Sequence, residues 1–435
     1  MYLCDVIIPE TLLHFIWRYR LFNQFDIATI CGTPVRIIDP GQYNNNAGPD
    51  FEFAKVQIGD TLWSGHVEIH TRAKAWRQHK HHLDNRYNST ILHVVWEYDA
   101  EAIRCDSTIL PTVELRGRVQ EAVIVRYANL MNNMAQIPCE NQAWGKVSDI
   151  SLALWRERML IERLEHKGER VKKLLSTGAG HWQSTLITLL GRAFGMQVNA
   201  HAFETLTRQL DLTLLLKYRT DPIKLEALLF GVSGLLPPTS EVSDSYTALL
   251  NKEYRYLRQL HHLTSMSEIS WKFHRMRPYN FPTFRVAQFA ALCAHEIYWF
   301  DKIREVENVK DIMHLLKGVQ PDSYWQNHFR FGAMTTPHPV GFSDRFMAHL
   351  FVNCFAPTLF HYGVMLDDES CRHKAISWLL HLPEERKAIT RAYEKLGWKN
   401  ENSADSQALL HLKKEYCDRR ECLSCAVGHA ILKRD

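Results

Sequence analysis

GPDFEFAKVQIGDTLWSGHVEIH, residues 48–70, decides the fold of the first part of the chain. Pro49, preceded by Asn44, Asn45 and Asn46, reads as a turn. Two runs with period-2 alternation follow, Phe51–Ile58 and Leu62–His70, joined at Gly59-Asp60, and the pair predicts a β-hairpin. Alternation puts Glu68 and His70 on one face of the second strand, while Asp50 stands at the start of the first. An Asp on one strand and a Glu-x-His on its neighbour can converge on one divalent cation. Mg²⁺ takes oxygen ligands from one or two carboxylates and keeps waters, which leaves room for a substrate phosphate; Mn²⁺ suits the same ligands. The competing reading makes Asp50 a turn cap and sets Glu68 and His70 on a solvated strand face.

Working outward, the 435 residues are 46% hydrophobic and 23% charged, enough for two or more cores. A net charge of +4 is compatible with DNA or RNA as a partner and does not single one out. No apolar run approaches the ~18 residues a membrane helix needs. The N-terminus, MYLCDVIIPE, lacks a basic leader and a long apolar stretch, so no secretory signal is read. The ten cysteines are then expected to be reduced, in the cytoplasm. No internal repeat is visible, and no pattern sets an oligomeric state.

The expected fold class is α+β. Residues 1–140 read as a mixed α/β domain with a small sheet. A helix opens at Pro9-Glu10-Thr11, a strand covers Pro34–Ile38, and the hairpin follows. Ala75–Tyr87 is a short helix or an ordered loop, Ile91–Tyr98 a buried strand, Ser107–Leu115 another strand and Glu121–Met134 a helix. Residues 150–435 read as a larger all-α domain ending in a cysteine cluster, with helices over Ser151–Leu175, Trp182–Phe194, Ala202–Leu216, Ile223–Phe230 and Tyr246–Leu263. The turn Arg277–Pro282 opens a further helix, and Phe346–Leu359 is another.

Three further constellations carry chemistry. His79, His81, His82 and Asp84, with His93 beyond, are imidazole and carboxylate ligands suited to Zn, Mn or Fe. They either form their own site or complete the one at Asp50 and Glu68; otherwise they are a polar loop. Cys417, Cys422, Cys425 and His429, spaced C-x4-C-x2-C-x3-H, suit tetrahedral Zn²⁺ or an iron–sulfur cluster, with Cys139 as a candidate distant ligand in place of His429. Basic residues interleave with aromatics at Arg72–Arg77 and over Trp271–Arg285, where Lys272, Arg275, Arg277 and Arg285 could meet phosphates. A core edge with solvated charges would look the same. No Walker loop, G-x-S-x-G elbow or dinucleotide fingerprint is present, which argues against a P-loop NTPase, an α/β-hydrolase and a Rossmann enzyme.

GPDF, VEIH, HKHHLDNRY, LHVVWEYD, IPC, RPYNFP and the terminal cysteines occur in this order, and together they resemble an uncharacterised bacterial domain-of-unknown-function family. That resemblance implies a cytosolic protein and brings no activity with it. The element order helix, three strands, helix or loop, strand resembles the αβββαβ core of the restriction-endonuclease-like PD-(D/E)xK nucleases. That second resemblance implies a metal-dependent nuclease with Asp50, Glu68 and His70 as catalytic residues. His70 stands where the related nucleases carry Lys. It also implies that a cluster of three C-terminal Cys and one distant Cys can staple the chain. The alternative is a non-catalytic nucleic-acid-binding or scaffold protein built on a degenerate nuclease-like domain.

Overall fold

A computed structural model describes residues 8–141, 147–177, 180–242, 244–267 and 270–434. It divides into two compact units, Met1–Trp155 with Leu412–Asp435, and Arg156–His411. The α+β class holds: the first unit carries the main sheet and the second is helical apart from one short two-stranded ribbon. None of the described helices is long and apolar enough to cross a membrane.

The first unit begins with helix α1 (Glu10–Arg18), whose Leu12, Leu13, Phe15, Ile16 and Trp17 are buried. Strands β1 (Val35–Asp39), β2 (Gln42–Tyr43), β3 (Phe51–Ile58) and β4 (Thr61–Arg72) follow. A short helix α2 (Ala75–Gln78) and two 3₁₀ turns lead to β5 (Thr90–Glu97) and β6 (Thr112–Glu114), and helix α3 (Glu121–Asn132) follows the sheet. The sheet order is β1-β3-β4-β5-β6, with β2 on the flank of β3. β3 and β4 are the antiparallel hairpin expected from residues 48–70. β4–β5 and β5–β6 are parallel. Both faces of β5 are covered, which is why it reads as an unbroken apolar run. Trp76, Tyr87, Ala102 and Leu110 pack together as a small cluster of buried side chains beside the crossover.

Simple alternation does not describe β3. Phe51 faces Val67 and Ala54 faces Gly65, so two residues, Glu52 and Phe53, oppose His66 alone. Phe53 takes φ +59 at this bulge and turns its ring to solvent. The buried positions switch from Phe51 to Ala54 and Val56. A period of 2 cannot anticipate that shift.

The terminal segment departs from the expected domain layout. The cysteine-bearing tail was read as the end of the helical domain, yet it folds with the first unit. The reason is apolar: Val427, Ile431 and Leu432 of the last helix, Ala426–Leu432, are buried, and this helix packs on α3. Arg126 of α3 donates to the carbonyls of Leu432 and Arg434, which serve as the open acceptors at that helix end.

The second unit continues helix α4 (Asp149–Thr177) into α5 (Trp182–Phe194), α6 (Ala200–Gln209), α7 (Leu212–Tyr218), α8 (Pro222–Ser233) and α9 (Ser245–His261). The single helix expected over Ala202–Leu216 is two, because Asp211 accepts from the Thr213 N–H and starts a new one. After a 3₁₀ turn at Pro278–Asn280 come α10 (Pro282–His295), α11 (Trp299–Glu305), α12 (Val309–Lys317), the ribbon β7 (His328–Arg330) and β8 (Ala333–Met334), α13 (Asp344–Leu350) and, after one π turn, α14 (Ala356–Met365).

Glu226 of α8 is 3% exposed and accepts a hydrogen bond from the Tyr246 hydroxyl, which itself accepts from Trp325 Nε1 at 3.1 Å. Burial pushes its carboxyl up to about 7. The folded state therefore holds a proton that the unfolded chain releases, and stability falls as pH rises from the ordinary glutamate value through 7. Between pH 4 and 8 the wild type should lose roughly 3 kcal/mol relative to Glu226→Gln in urea unfolding. Parallel stability curves for the two proteins would contradict this.

Candidate metal centre

Asp50 and Glu68 are interlaced across the hairpin. Asp50 Oδ2 accepts from the Ile69 N–H at 2.9 Å, and Glu68 Oε2 accepts from the Asp50 N–H at 3.1 Å. Each carboxylate thus fixes the other's strand. The approach loop is tied down as well: the Asn44 N–H donates to the Asp50 carbonyl, Asn44 Nδ2 to the Pro49 carbonyl, and the Tyr87 hydroxyl to the Gly48 carbonyl.

The expected pairing of Glu68 with His70 on one face is present, and more imidazoles join it. His81 Nε2 lies 3.2 Å from Glu68 Oε1, and His70 Nε2 lies 3.6 Å from the same oxygen. His79 Nδ1 is 3.2 Å from His70 Nε2. Among the described residues, His70, His79 and His81 offer nitrogens that all lie within 4.8 Å of one another, close enough to share one ion. β4 supplies His70, and the crossover behind it supplies His79 at the end of α2 and His81 in the next 3₁₀ turn. His70 and Glu68 are buried while His79 is exposed, so the niche opens at His79.

Two contributors were not anticipated. His14 of α1 places Nε2 3.2 Å from Asp50 Oδ2, and Glu10, one helical turn earlier, adds its field to Glu68. Their only sequence signal is a histidine interrupting the apolar face Leu12, Leu13, Phe15, Ile16. His93 of β5, which the sequence placed with this group, is fully buried, with Nε2 2.8 Å from His70 Nδ1. A cation at His70 Nε2 requires the proton on Nδ1, donated to His93.

The electrostatics suit a cation. Burial first, then the Asp50 charge, pushes Glu68 up to about 9. Burial, then His93 and the other imidazoles, holds His70 down to about 2, and burial lowers His81 and takes His93 down to about 3. The lowered values favour the neutral form of His70, His81 and His93, the form that ligates metal.

Other candidate residues fall elsewhere. Asp84 is gripped by Arg86 at 2.5 Å and caps the turn at Asn85, so its carboxylate is already engaged there. His82 lies outside the three-histidine group, with its Nδ1 buried. Arg72 pairs with Glu97 at 3.7 Å, and Arg77 is exposed. In the helical unit Lys272, Arg275 and Arg277 are exposed. Arg285 is not a surface contact: it is 7% exposed, bonded to Gln288 and Asn280, and stacked 3.7 Å over Phe346.

Cys139, Cys417, Cys422 and Cys425 are all buried. Burial raises Cys139, and Cys417, Cys425 and Cys422 raise it further, so the four share one neighbourhood. Both ring nitrogens of His429 have other contacts, Nδ1 3.4 Å from the Tyr19 hydroxyl and Nε2 2.5 Å from the Leu423 carbonyl. Cys139, one of the two alternatives for a fourth ligand, thus lies near the other three thiols.

The chain belongs to the family described as protein of unknown function (DUF2851), which it matches over residues 10–388. That span contains the whole carboxylate–histidine niche and Cys139, and it ends before Cys417. No curated protein and no solved structure matches the chain. The likeness to nucleases therefore rests on its residues and strand order alone.

Proposed function

We propose that this protein is a divalent-metal-dependent phosphodiesterase acting on nucleic acid, centred on Asp50, Glu68, His70, His79 and His81. The observation that supports it is the convergence of two carboxylates from adjacent strands with three imidazoles in a niche open on one side. The strand directions add support, since the acidic pair sits on a hairpin whose second strand runs parallel to the next one after a crossover.

A bound cation supplies Lewis-acid polarisation of a phosphoryl oxygen and a lowered pKa for its water. The protein's own groups divide the remaining work. His70, held low by burial, serves as a ligand. His93 fixes its ring. His14 holds Asp50 in place, and the solvent-facing His79 borders the opening through which a phosphate would enter. Nitrogen donors beside carboxylates favour Mn²⁺, Fe²⁺ or Zn²⁺ over Mg²⁺.

The test is to strip the full chain with chelator, then add Mn²⁺, Zn²⁺ or Mg²⁺ with single-stranded DNA, duplex DNA or RNA. Cleavage with Mn²⁺ that EDTA stops is the expected result. Tight binding of a nucleic acid with no cleavage under any metal would replace this reading with the scaffold one. If Arg275 and Arg277 contact phosphates, changing both to Gln should reduce the slope of log affinity against log salt by about 2. An unchanged slope would remove them from the interface.

A further inference from the structure

The helical unit contains a cavity of about 510 Å³ that the proposed chemistry does not use. Residues of α4, α5, α6 and the α13–α14 junction line it. Four of the lining side chains are cationic, Arg170, Lys173, Arg192 and Arg208, against the carboxylates of Glu169 and Glu204, and Lys167, whose pKa burial lowers well below the ordinary lysine value, adds a further donor. Glu204 is 8% exposed and takes all three guanidiniums, Arg192 and Arg208 at 2.8 Å and Arg170 at 3.3 Å. One carboxylate balances one of those charges and one or two of each fork's five donors. Its effect is to hold three arginines in fixed directions around a space they do not fill.

Lys167 is fixed by a different device. Residues Phe351–Phe355 form a π turn, in which the Ala356 N–H bonds back to the Phe351 carbonyl. In that register the Val352 carbonyl should receive the N–H of residue 357, and Pro357 has none. Lys167 Nζ donates to that carbonyl instead, at 2.7 Å, and to Asn353 Oδ1 at 3.1 Å. The proline thus anchors the Lys167 amine as a donor at the cavity wall, and π turns recur at functional sites. His349 completes this wall, donating Nε2–H to the Ala193 carbonyl and accepting at Nδ1 from Asn353.

We propose that this cavity is a phosphate-binding pocket. Excess fixed positive charge, forked donors and a space larger than a few waters fit a tetrahedral oxyanion better than a structural ion-pair network, which would need no room. The phosphate can belong to a nucleic-acid strand or to a free phosphate. The proposal stands apart from the metal niche, and its test reads binding only.

The full chain with Arg170→Gln and Lys173→Gln, both exposed at the rim, is compared with wild type and with a control, Lys252→Gln and Arg255→Gln, on the exposed side of α9. Probes are inorganic phosphate by calorimetry and a short fluorescein-labelled single-stranded oligonucleotide by anisotropy. Wild type should bind at least one probe, with about tenfold or greater loss in the pocket variant and no loss in the control. Phosphate that binds and displaces the oligonucleotide identifies one shared pocket. An oligonucleotide that binds while phosphate does not identifies the strand backbone as the source. Failure of both probes to bind wild type, or equal loss in the two variants, overturns the proposal.

Discussion

Asp50→Asn and Glu68→Gln will each reduce Mn²⁺-dependent cleavage by on the order of a hundredfold or more, with little change in the melting temperature of the metal-free protein. The amide at residue 50 still accepts from the Ile69 N–H, and the amide at residue 68 still accepts from the Asp50 N–H, so the interlacing of the two strands survives. What disappears is the Asp50 charge, or the Glu68 carboxyl that a bound cation would deprotonate, beside the niche imidazoles. Alanine is a poorer probe here, because it would leave buried N–H groups unpaired at a cost of roughly 1–3 kcal/mol. His93→Gln should behave differently. Its target is the proton on His70 Nδ1, so metal affinity should fall roughly 10–100-fold while saturating Mn²⁺ restores most of the rate. Cleavage by Asp50→Asn or Glu68→Gln at wild-type rates would remove the niche from the chemistry, whatever its metal content.

Much of this niche was legible because its parts are local. The hairpin is written in alternation and a Gly-Asp turn, and Glu68 with His70 follows from a period of 2. His79 and His81 stand out by composition. The helices of the second unit follow from periodicity, and Trp182–Phe194 matches to the residue. The missing parts are those that only tertiary packing creates. Phe53 looks like any strand residue, and nothing local tells that its φ is positive and that the inward face changes there. Glu10 and His14 share a helix face that otherwise reads as core, and their partner lies across the sheet. Arg285 sits in a run of exposed cations, yet a neighbouring Phe, Gln and Asn draw it inside. Asp84 has the right charge at a plausible spacing, but Arg86 two residues on takes it first.

The cysteine quartet carries the other large effect. The protein should contain about one equivalent of Zn²⁺, or an iron–sulfur cluster, at Cys139, Cys417, Cys422 and Cys425. Burial and neighbouring sulfurs raise the cost of deprotonating Cys139 and Cys422, a cost that binding a metal cation offsets. Burial and the neighbouring Cys425 and Cys417 push Cys422 up to about 12, and the backbone N–H groups of Val427 and Gly428 already face the Cys425 sulfur. Cys139→Ser should therefore lose the metal as fully as Cys422→Ser, and His429→Gln should keep it. The visible spectrum separates the two metals, brown for iron–sulfur and colourless for zinc. On sequence grounds the loss should spare the hairpin, since the tail belonged to another domain. The fold reverses that expectation. The last helix packs on α3, its His429 ring lies against Phe15 and Tyr19 of α1, and α1 carries His14 to Asp50. A structural tetrathiolate centre is worth on the order of 10 kcal/mol, comparable to the stability of a whole domain. Its removal should free α1 and the tail to protease together and weaken Mn²⁺ binding at the niche. A Cys422→Ser protein that sheds its metal yet binds Mn²⁺ as wild type does would show that the tail does not support α1. Metal-free wild type, prepared anaerobically without chelator, would end the case for the centre itself.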